Sequence, residues 1–399
     1  MNIFVISIYS FPQGLAPTNR IKAYAKGLIQ VGAKVNVLIP FPTDAYTTNH
    51  VISEGIVDSI SYKYTSGVCK SKYKIIRALS IYSGYRRMSG FISSFIALYK
   101  HNKKEKIDKI IVSADALDML FYYSMVSRIL RAKMVFIFDE YPIPIRHKLK
   151  SRIPKWKELM YRVVLNYVDA YISISENLKN YYCNLCEKKT FILTSITDTD
   201  RFKDNNKSFE VRDTYFCYMG NMELSKDNVD LIIKAYAALP GRIRNIHKLY
   251  LYGAPSNANK ELILRLIKEL SLEENVLFKG RACFDEVPRI LKRATILLSS
   301  QPDTVRAQGG FPTKLGEYLL SGTPTLLTDV GENSKFVRDG IEVFFAKTNS
   351  VENYTQKIEY IIDNYVDVLA VAEHGKHYVE NSFSHTKQGQ RLFSFLNSL

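Results

Sequence analysis

The sequence predicts an α/β protein of two domains, each begun by a βαβ series, and three observations predict it. A chain of 399 residues that is 46% hydrophobic can bury more core than one domain of ordinary size. Residues 3–8 are a β-branched apolar run, and after a loop at residues 11–17 the positions Ile21, Ala25 and Leu28 share one helical face. Gly32 stops that helix and residues 34–40 read as a second strand, completing a βαβ unit. The same order restarts at residues 214–219, a strand, with a loop at 220–227 and a helix at 229–239.

Composition narrows the class. Charged residues make up 24%, which excludes a disordered or fibrous chain. Five cysteines are an odd number at irregular spacing, so a reducing compartment is expected rather than a disulfide framework. Cys183 and Cys186 form a Cys-x-x-Cys without a second pair or a nearby histidine, and are expected to be two buried thiols on a helix, not zinc ligands. The first ten residues carry no basic leader and no small-residue cleavage site, so they read as a strand. No apolar run approaches the ~18 residues that span a bilayer, and a cytoplasmic protein is expected, with any membrane contact peripheral.

Charge is uneven. Of the net +16, residues 1–200 hold 29 Lys and Arg against 15 Asp and Glu, whereas residues 201–399 hold 26 against 24. The N-terminal half therefore faces an anionic partner, for which a membrane surface, a phosphorylated substrate and a nucleic acid are the candidates.

Taken in order, the elements place the candidate residues. The first βα loop, where such units meet phosphates, contains Gly14, and Arg20 at the start of the helix is either a solvated residue or an anion contact. Residues 70–106 interleave Lys70, Lys72, Lys74, Arg77, Arg86, Arg87, Lys100, Lys103, Lys104 and Lys106 with Tyr73, Tyr82 and Tyr85. Such a surface suits anionic lipid or nucleic acid phosphate, and a plain solvated face is the ordinary alternative. Strands are expected at residues 107–112 and 134–138, with a helix at 115–130 between them. The second strand ends in Asp139-Glu140-Tyr141-Pro142, carboxylates at the edge where α/β sheets meet ligands. Residues 146–167 set Leu149, Ile153, Trp156, Met160, Val163 and Tyr167 along one helical face among Arg146, His147, Lys148, Lys150, Arg152, Lys155, Lys157 and Arg162, with Pro154 placing the start of the helix near Arg152. A core-packed stripe is expected there, with an interfacial helix as the alternative. A strand at 168–175 follows, and a polar linker is expected at 204–210. In the second half, further strands are expected at 247–253, 276–280 and 296–299, the last two separated by a helix at 284–293. A final strand near 341–346, a helix at 351–365 and a terminal helix at 381–399 complete the chain.

The most informative stretch runs from Gly309 to Gly322. Gly309 and Gly310 leave the backbone free to turn, Pro312 ends any preceding strand, and Thr313 is placed to cap a helix carrying Leu315, Tyr318 and Leu319 until Gly322. A helix start with Lys314 beside it attracts an anion, and Glu317 lies one turn on, on the same face. A cation for phosphate and a carboxylate for sugar hydroxyls together suggest a nucleotide-sugar site.

Phe311 to Pro324, with Lys314, Glu317, Tyr318, Gly322 and Pro324 in register, resembles the donor segment of the retaining glycosyltransferases of family 4. The resemblance implies the GT-B fold, two facing Rossmann-like domains with a cleft between them, here residues 1–205 plus the terminal helix for the acceptor and residues 206–380 for the donor. It also implies donor diphosphate contacts at Gly14, Gly220, Lys226, Lys314 and the helix start near Thr313, with Gly309, Gly310, Phe311 and Pro312 lining the donor site and Glu317 on the ribose. Asp139, then Glu140, is implied near the reaction centre or the acceptor hydroxyl. Two positions depart from the family: Asn221 stands where an arginine is usual, and Gly309 where the first of two glutamates is usual. Arg306 is the substitute to hand for the arginine, and Asp303 or the backbone amides of Gly309 to Phe311 for the glutamate, which in the family contacts the transferred sugar. The function implied is transfer of a sugar, with retention, from a nucleoside diphosphate sugar to a hydroxyl acceptor, with a lipid-linked saccharide suggested by the N-terminal charge. No metal or other cofactor is expected, since the cations and the helix start would carry the phosphate charge. A sugar-nucleotide 2-epimerase of the same architecture and a basic nucleic-acid-binding protein are the alternatives, although no nucleic-acid-binding motif is evident.

Overall fold

The computed structural model describes residues 1–14, 16–43, 52–71, 73, 76, 79–114, 116–143, 145, 152–203 and 213–399. The expected linker at 204–210 lies outside the described residues, as do Lys72, Lys74, Arg77, Asp115, Pro144, Arg146, His147, Lys148, Leu149 and Lys150. The chain forms two compact units, Met1–Asp198 with His385–Leu399, and Thr199–Ser384.

The first unit runs β1 (Asn2–Ser7), α1 (Ala16–Gln30), β2 (Lys34–Ile39), β3 (Glu54–Val57), β4 (Ile60–Tyr64), α2 (Ser80–Lys104), β5 (Lys109–Ser113), α3 (Leu117–Leu130), β6 (Lys133–Phe138), α4 (Lys155–Leu165), β7 (Ala170–Ser173), α5 (Glu176–Leu185) and β8 (Lys189–Ile192). Its eight strands lie in the order β3-β4-β2-β1-β5-β6-β7-β8, parallel throughout except for the β3–β4 hairpin. β1 and β5 are buried at every position, as strands covered by helices on both faces must be. The path from β1 to β2 runs one way along the sheet and the paths from β4 onward run the other. Right-handed crossovers therefore place α1 on one face and α2, α3, α4 and α5 on the other.

The second unit runs β9 (Tyr215–Met219), α6 (Leu224–Asp227), α7 (Val229–Ala238), β10 (Lys248–Tyr252), α8 (Asn257–Glu269), β11 (Val276–Gly280), α9 (Val287–Arg293), β12 (Ile296–Leu298), α10 (Val305–Gly309), α11 (Leu315–Leu320), β13 (Thr325–Thr328), β14 (Phe344–Ala346), α12 (Val351–Asp363) and α13 (Tyr365–Ser382). Its six strands are all parallel, in the order β11-β10-β9-β12-β13-β14. The sheet order turns at β9 and β12, so the loops after these strands face the crevice where doubly wound sheets bind ligands. Helix α13 was not foreseen from the sequence.

The last helix, α14 (His385–Asn397), belongs to the first unit and packs on α1. The two helices meet backbone to backbone. A Cβ on Gly27 would fall 2.1 Å from the carbonyl oxygen of His385 and 2.9 Å from the Cα of Gly389. Leu392 and Leu396 of α14 then join Ile21, Tyr24 and Leu28 of α1 in one core.

Two expectations are corrected here. Helix α4 begins at Lys155 with Pro154 as its N-cap, and the stripe expected to face the core faces solvent: Trp156 is 63% exposed, and Met160, Val163 and Tyr167 are exposed with it. Tyr161, Val164 and Leu165 are the residues that α4 buries, while Ile153, just before the helix, is buried as expected. Periodicity identifies an apolar face but not what covers it, and the buried set here is a second face rotated from the first. Cys183 and Cys186 are half-buried rather than buried, with the Cys186 thiol 3.3 Å from the Asn166 side-chain oxygen.

Candidate functional site

In the second unit, the candidate donor residues converge where β9 ends and α11 begins. Tyr318 on α11 is buried, and its hydroxyl accepts from the Met219 amide at 2.8 Å, pinning the helix to the end of β9. Helix α13 braces α11 from its other side, since Gly375 allows close approach: a Cβ there would fall 2.9 Å from Leu319 and 2.6 Å from the Glu342 carbonyl. Gly322 ends the segment at φ 65°, a left-handed turn for which glycine is suited.

Lys314 is held by three contacts. Its Nζ lies 3.3 Å from Asp227 Oδ1 and 3.2 Å from the Tyr218 hydroxyl, and 4.3 Å from the centre of the Tyr218 ring. Gly220 packs closely against the same two groups: a Cβ there would fall 2.8 Å from Lys314 Nζ and 2.5 Å from the Tyr218 hydroxyl. Asp227 is itself fixed, because the Glu223 amide donates to its Oδ2 at 3.2 Å and Ser300 Oγ donates to its carbonyl at 2.8 Å. Burial raises the Asp227 pKa, but Lys314 and Lys226, with the hydrogen bonds, outweigh it and hold the carboxyl below its usual range. Burial drives the Tyr218 hydroxyl well above its own, so it remains a neutral phenol.

Around this centre, Arg306 pairs with Glu223 at 3.0 Å, and Lys226 stands on α6 one residue before Asp227. Glu317 is engaged by Arg201, whose guanidinium lies 3.7 Å from the centre of the Phe284 ring and donates to the Phe284 carbonyl at 2.9 Å. Asp227, Tyr218 and Arg201 were not picked out from the sequence. Asp227 and Tyr218 flank the singled-out Gly220 and Lys226, but only the folded chain shows that both turn toward Lys314.

The segment from Gly309 to Thr313 differs from expectation. Gly309 closes α10, a helix capped by Thr304 Oγ, which accepts from the Ala307 amide at 3.2 Å. Gly310 has φ −89°, which any residue adopts, so no special turn is required there and no strand precedes Pro312. Phe311 and Pro312 are buried, Phe311 edge-on to Phe336 at 5.4 Å, and so serve as core. Thr313 is exposed and does not cap α11; Lys314 occupies the N-cap position without a side-chain bond. Asp303 is exposed and accepts from Gln308 at 3.1 Å, and Asn221 is exposed.

The first unit gathers a separate cluster. Arg20 is buried, not solvated. Its NH2 donates to the Leu193 carbonyl at 2.7 Å, and its NH1 lies 3.1 Å from Asp139 Oδ1, just beyond the end of β6. Tyr24 lies against this pair, its hydroxyl pKa raised by burial and opposed by Arg20. Glu140 is half-buried beside Asp139. Gly14 sits over the Thr18 hydroxyl, which donates to the Ser10 carbonyl at 2.7 Å, and a Cβ on Gly14 would fall 2.0 Å from that hydroxyl. The sheet thus presents a fixed carboxylate and guanidinium at the C-terminal ends of its strands.

None of the curated proteins matches the sequence. Among solved structures, sucrose-phosphate synthase from Thermosynechococcus elongatus superposes with a TM-score of 0.73 at 14% identity, covering 100% of this chain and 99% of that one. HepE from Anabaena, solved in complex with UDP-glucose, gives 0.71 at 15% identity, covering 100% of both chains. WaaG, described as a glycosyltransferase involved in lipopolysaccharide biosynthesis, gives 0.67 at 14% identity, again covering 100% of both. At such identities the likeness is one of fold. The chain has the fold of the GT-B glycosyltransferases, and residues 200–382, nearly all of its second unit, match the family model of the glycosyl transferases group 1.

Proposed function

We propose that this chain transfers a sugar from a nucleoside diphosphate sugar to a hydroxyl acceptor, with retention at the anomeric carbon. The observation that carries the reading is the Lys314, Asp227, Tyr218 and Gly220 cluster, which lies in the segment matched by the family model. A departing diphosphate gains negative charge as the glycosidic bond to phosphate breaks. Cations already fixed at that place, Lys314 with Lys226 nearby, stabilise the transition state more than the ground state. The acceptor oxygen forms its bond to the anomeric carbon from the leaving-group face, and its proton passes to the departing phosphate oxygen. No metal or other cofactor is needed in this scheme. HepE has been solved with UDP and with UDP-glucose, which supports a nucleotide-sugar donor here.

Glu317 takes the ribose hydroxyls in this reading, with Arg201 orienting its carboxylate. Asp139 and Arg20 in the first unit are the polar groups for the acceptor. The basic N-terminal half favours a lipid-linked saccharide, with the protein peripheral at the inner face of the membrane. Among the described residues no helix is long and apolar enough to cross one.

The test is a thermal-shift series with UDP, GDP, ADP and TDP. One diphosphate is expected to raise the melting temperature by several degrees, since about 2.7 kcal/mol is gained at a hundredfold excess over Kd. Lys314→Ala and Glu317→Ala are expected to abolish the shift. A cooperative melt that none of the four moves would refute the donor site.

A further inference from the structure

The helices α2, α3 and α4 neighbour one another on one face of the first sheet and expose apolar side chains where solvent-facing helices carry polar ones. On α2 the outward residues are Ile81, Tyr85, Met88, Ile92, Ile96 and Tyr99, at steps of four, three, four, four and three, which is one continuous helical row. Ile81 is 82% exposed, whereas the side of α2 turned inward buries only Gly90, Ser94 and Leu98. Helix α2 therefore carries an apolar row on its outer side in addition to Phe91, which packs inward against Phe41 and Tyr122. Helix α3 adds Phe121, Met125 and Ile129, and α4 adds Trp156, Leu159, Met160 and Val163. At 1.5 Å per residue the α2 row alone extends about 27 Å, and contiguous apolar surface on that scale marks an interaction site.

Charge identifies the occupant. The three helices carry nine Lys and Arg, namely Arg86, Arg87, Lys100, Lys103, Lys104, Arg128, Lys155, Lys157 and Arg162, against only Asp118 and Glu158. Those two acids pair with Arg87 and Arg162. Two of these cations lie beside rings: Lys103 Nζ is 4.9 Å from the centre of Tyr99, and the Arg128 guanidinium 4.5 Å from that of Tyr167. Aliphatic side chains in a plane, aromatic rings among them and basic groups between suit the boundary between acyl chains and anionic headgroups.

We infer that α2, α3 and α4 together form a docking face for a bilayer surface bearing anionic lipid. The inference deepens the proposed function and rests on its membrane-bound acceptor for biological sense, but its physical test needs neither donor nor acceptor. Trp156 is the only tryptophan of the chain and lies on this face, so it reports contact directly.

The whole chain is mixed with vesicles of phosphatidylcholine alone, and with vesicles in which phosphatidylglycerol replaces a third of the lipid. The expected result is co-sedimentation with the anionic vesicles, weakened by added salt, with a blue shift of Trp156 emission and quenching by lipids brominated in the acyl chain. Ile92→Glu with Met125→Glu changes exposed positions only and is expected to lower partitioning about tenfold or more, while leaving the melting temperature and any diphosphate-induced shift unchanged. Absence of binding to anionic vesicles overturns the inference. So does binding without a Trp156 response, or self-association that shields Trp156 without lipid. A diphosphate shift that persists beside a failed vesicle assay leaves the donor reading standing, and the reverse result leaves the docking face standing.

Discussion

Replacing Asp227 by alanine is expected to lower the unfolding free energy of the second unit by about 3–5 kcal/mol, the cost of leaving one member of a buried ion pair without its partner. The side chains of Lys314 and Asp227 are 20% and 10% exposed, so water restores little of what is lost. Tyr218 offers the ammonium a ring and a neutral hydroxyl, but no charge. Asp227→Asn keeps the shape and an acceptor for the Glu223 amide, and should cost less than alanine. The two variants separate charge from packing.

The same pair sets a pH dependence whose sign follows from the depressed Asp227 pKa. The folded carboxyl binds its proton less readily than the unfolded one. Its contribution is therefore present above the ordinary aspartate value of about 4 and is lost as pH falls through the lower folded value. Denaturant melts at neutral pH and below pH 4 should show a larger acid loss in the wild type than in Asp227→Asn. Parallel pH profiles for the two proteins would remove Asp227 from the account.

Gly27→Ala is expected to cost roughly 3 kcal/mol, at the upper end for overpacking, because both obstacles are backbone. The new Cβ meets the His385 carbonyl at 2.1 Å and the Gly389 Cα at 2.9 Å, and neither can rotate aside. Either α14 moves off, uncovering Leu392 and Leu396, or α1 shifts on the sheet. Hydrogen exchange distinguishes local from global loss: faster exchange confined to α1 and α14 is expected, and a melt equal to wild type would show that the helices slide apart at little cost.

Much of the sheet framework was legible in the sequence because buried parallel strands are nearly continuous apolar runs. The run at residues 3–8 lies over β1, and the stop at Gly32 matches its φ of 85°. What was hidden depended on partners distant in the chain. The stripe through Trp156 has a core helix's spacing, and only the packing of Tyr161, Val164 and Leu165 shows which side faces inward. Arg20 reads as a surface residue until Asp139 and the Leu193 carbonyl close around it. Between Gly309 and Gly322, the sequence singled out Lys314 and Glu317. It could not show that Asp227 and Arg201 already hold them, since those contacts span 87 and 116 residues.

The return of α14 to α1 also bears on the order in which this protein is made. Gln30 and His385 hydrogen-bond across 355 residues, so the first unit cannot close its own core until the second has been synthesised. The intervening domain folds from a contiguous stretch of chain and can finish earlier. Until α14 arrives, the apolar flank of α1 stays open to other nascent chains, and the long closure slows its covering. For this architecture, chaperone demand should therefore fall on the first unit more than on the second.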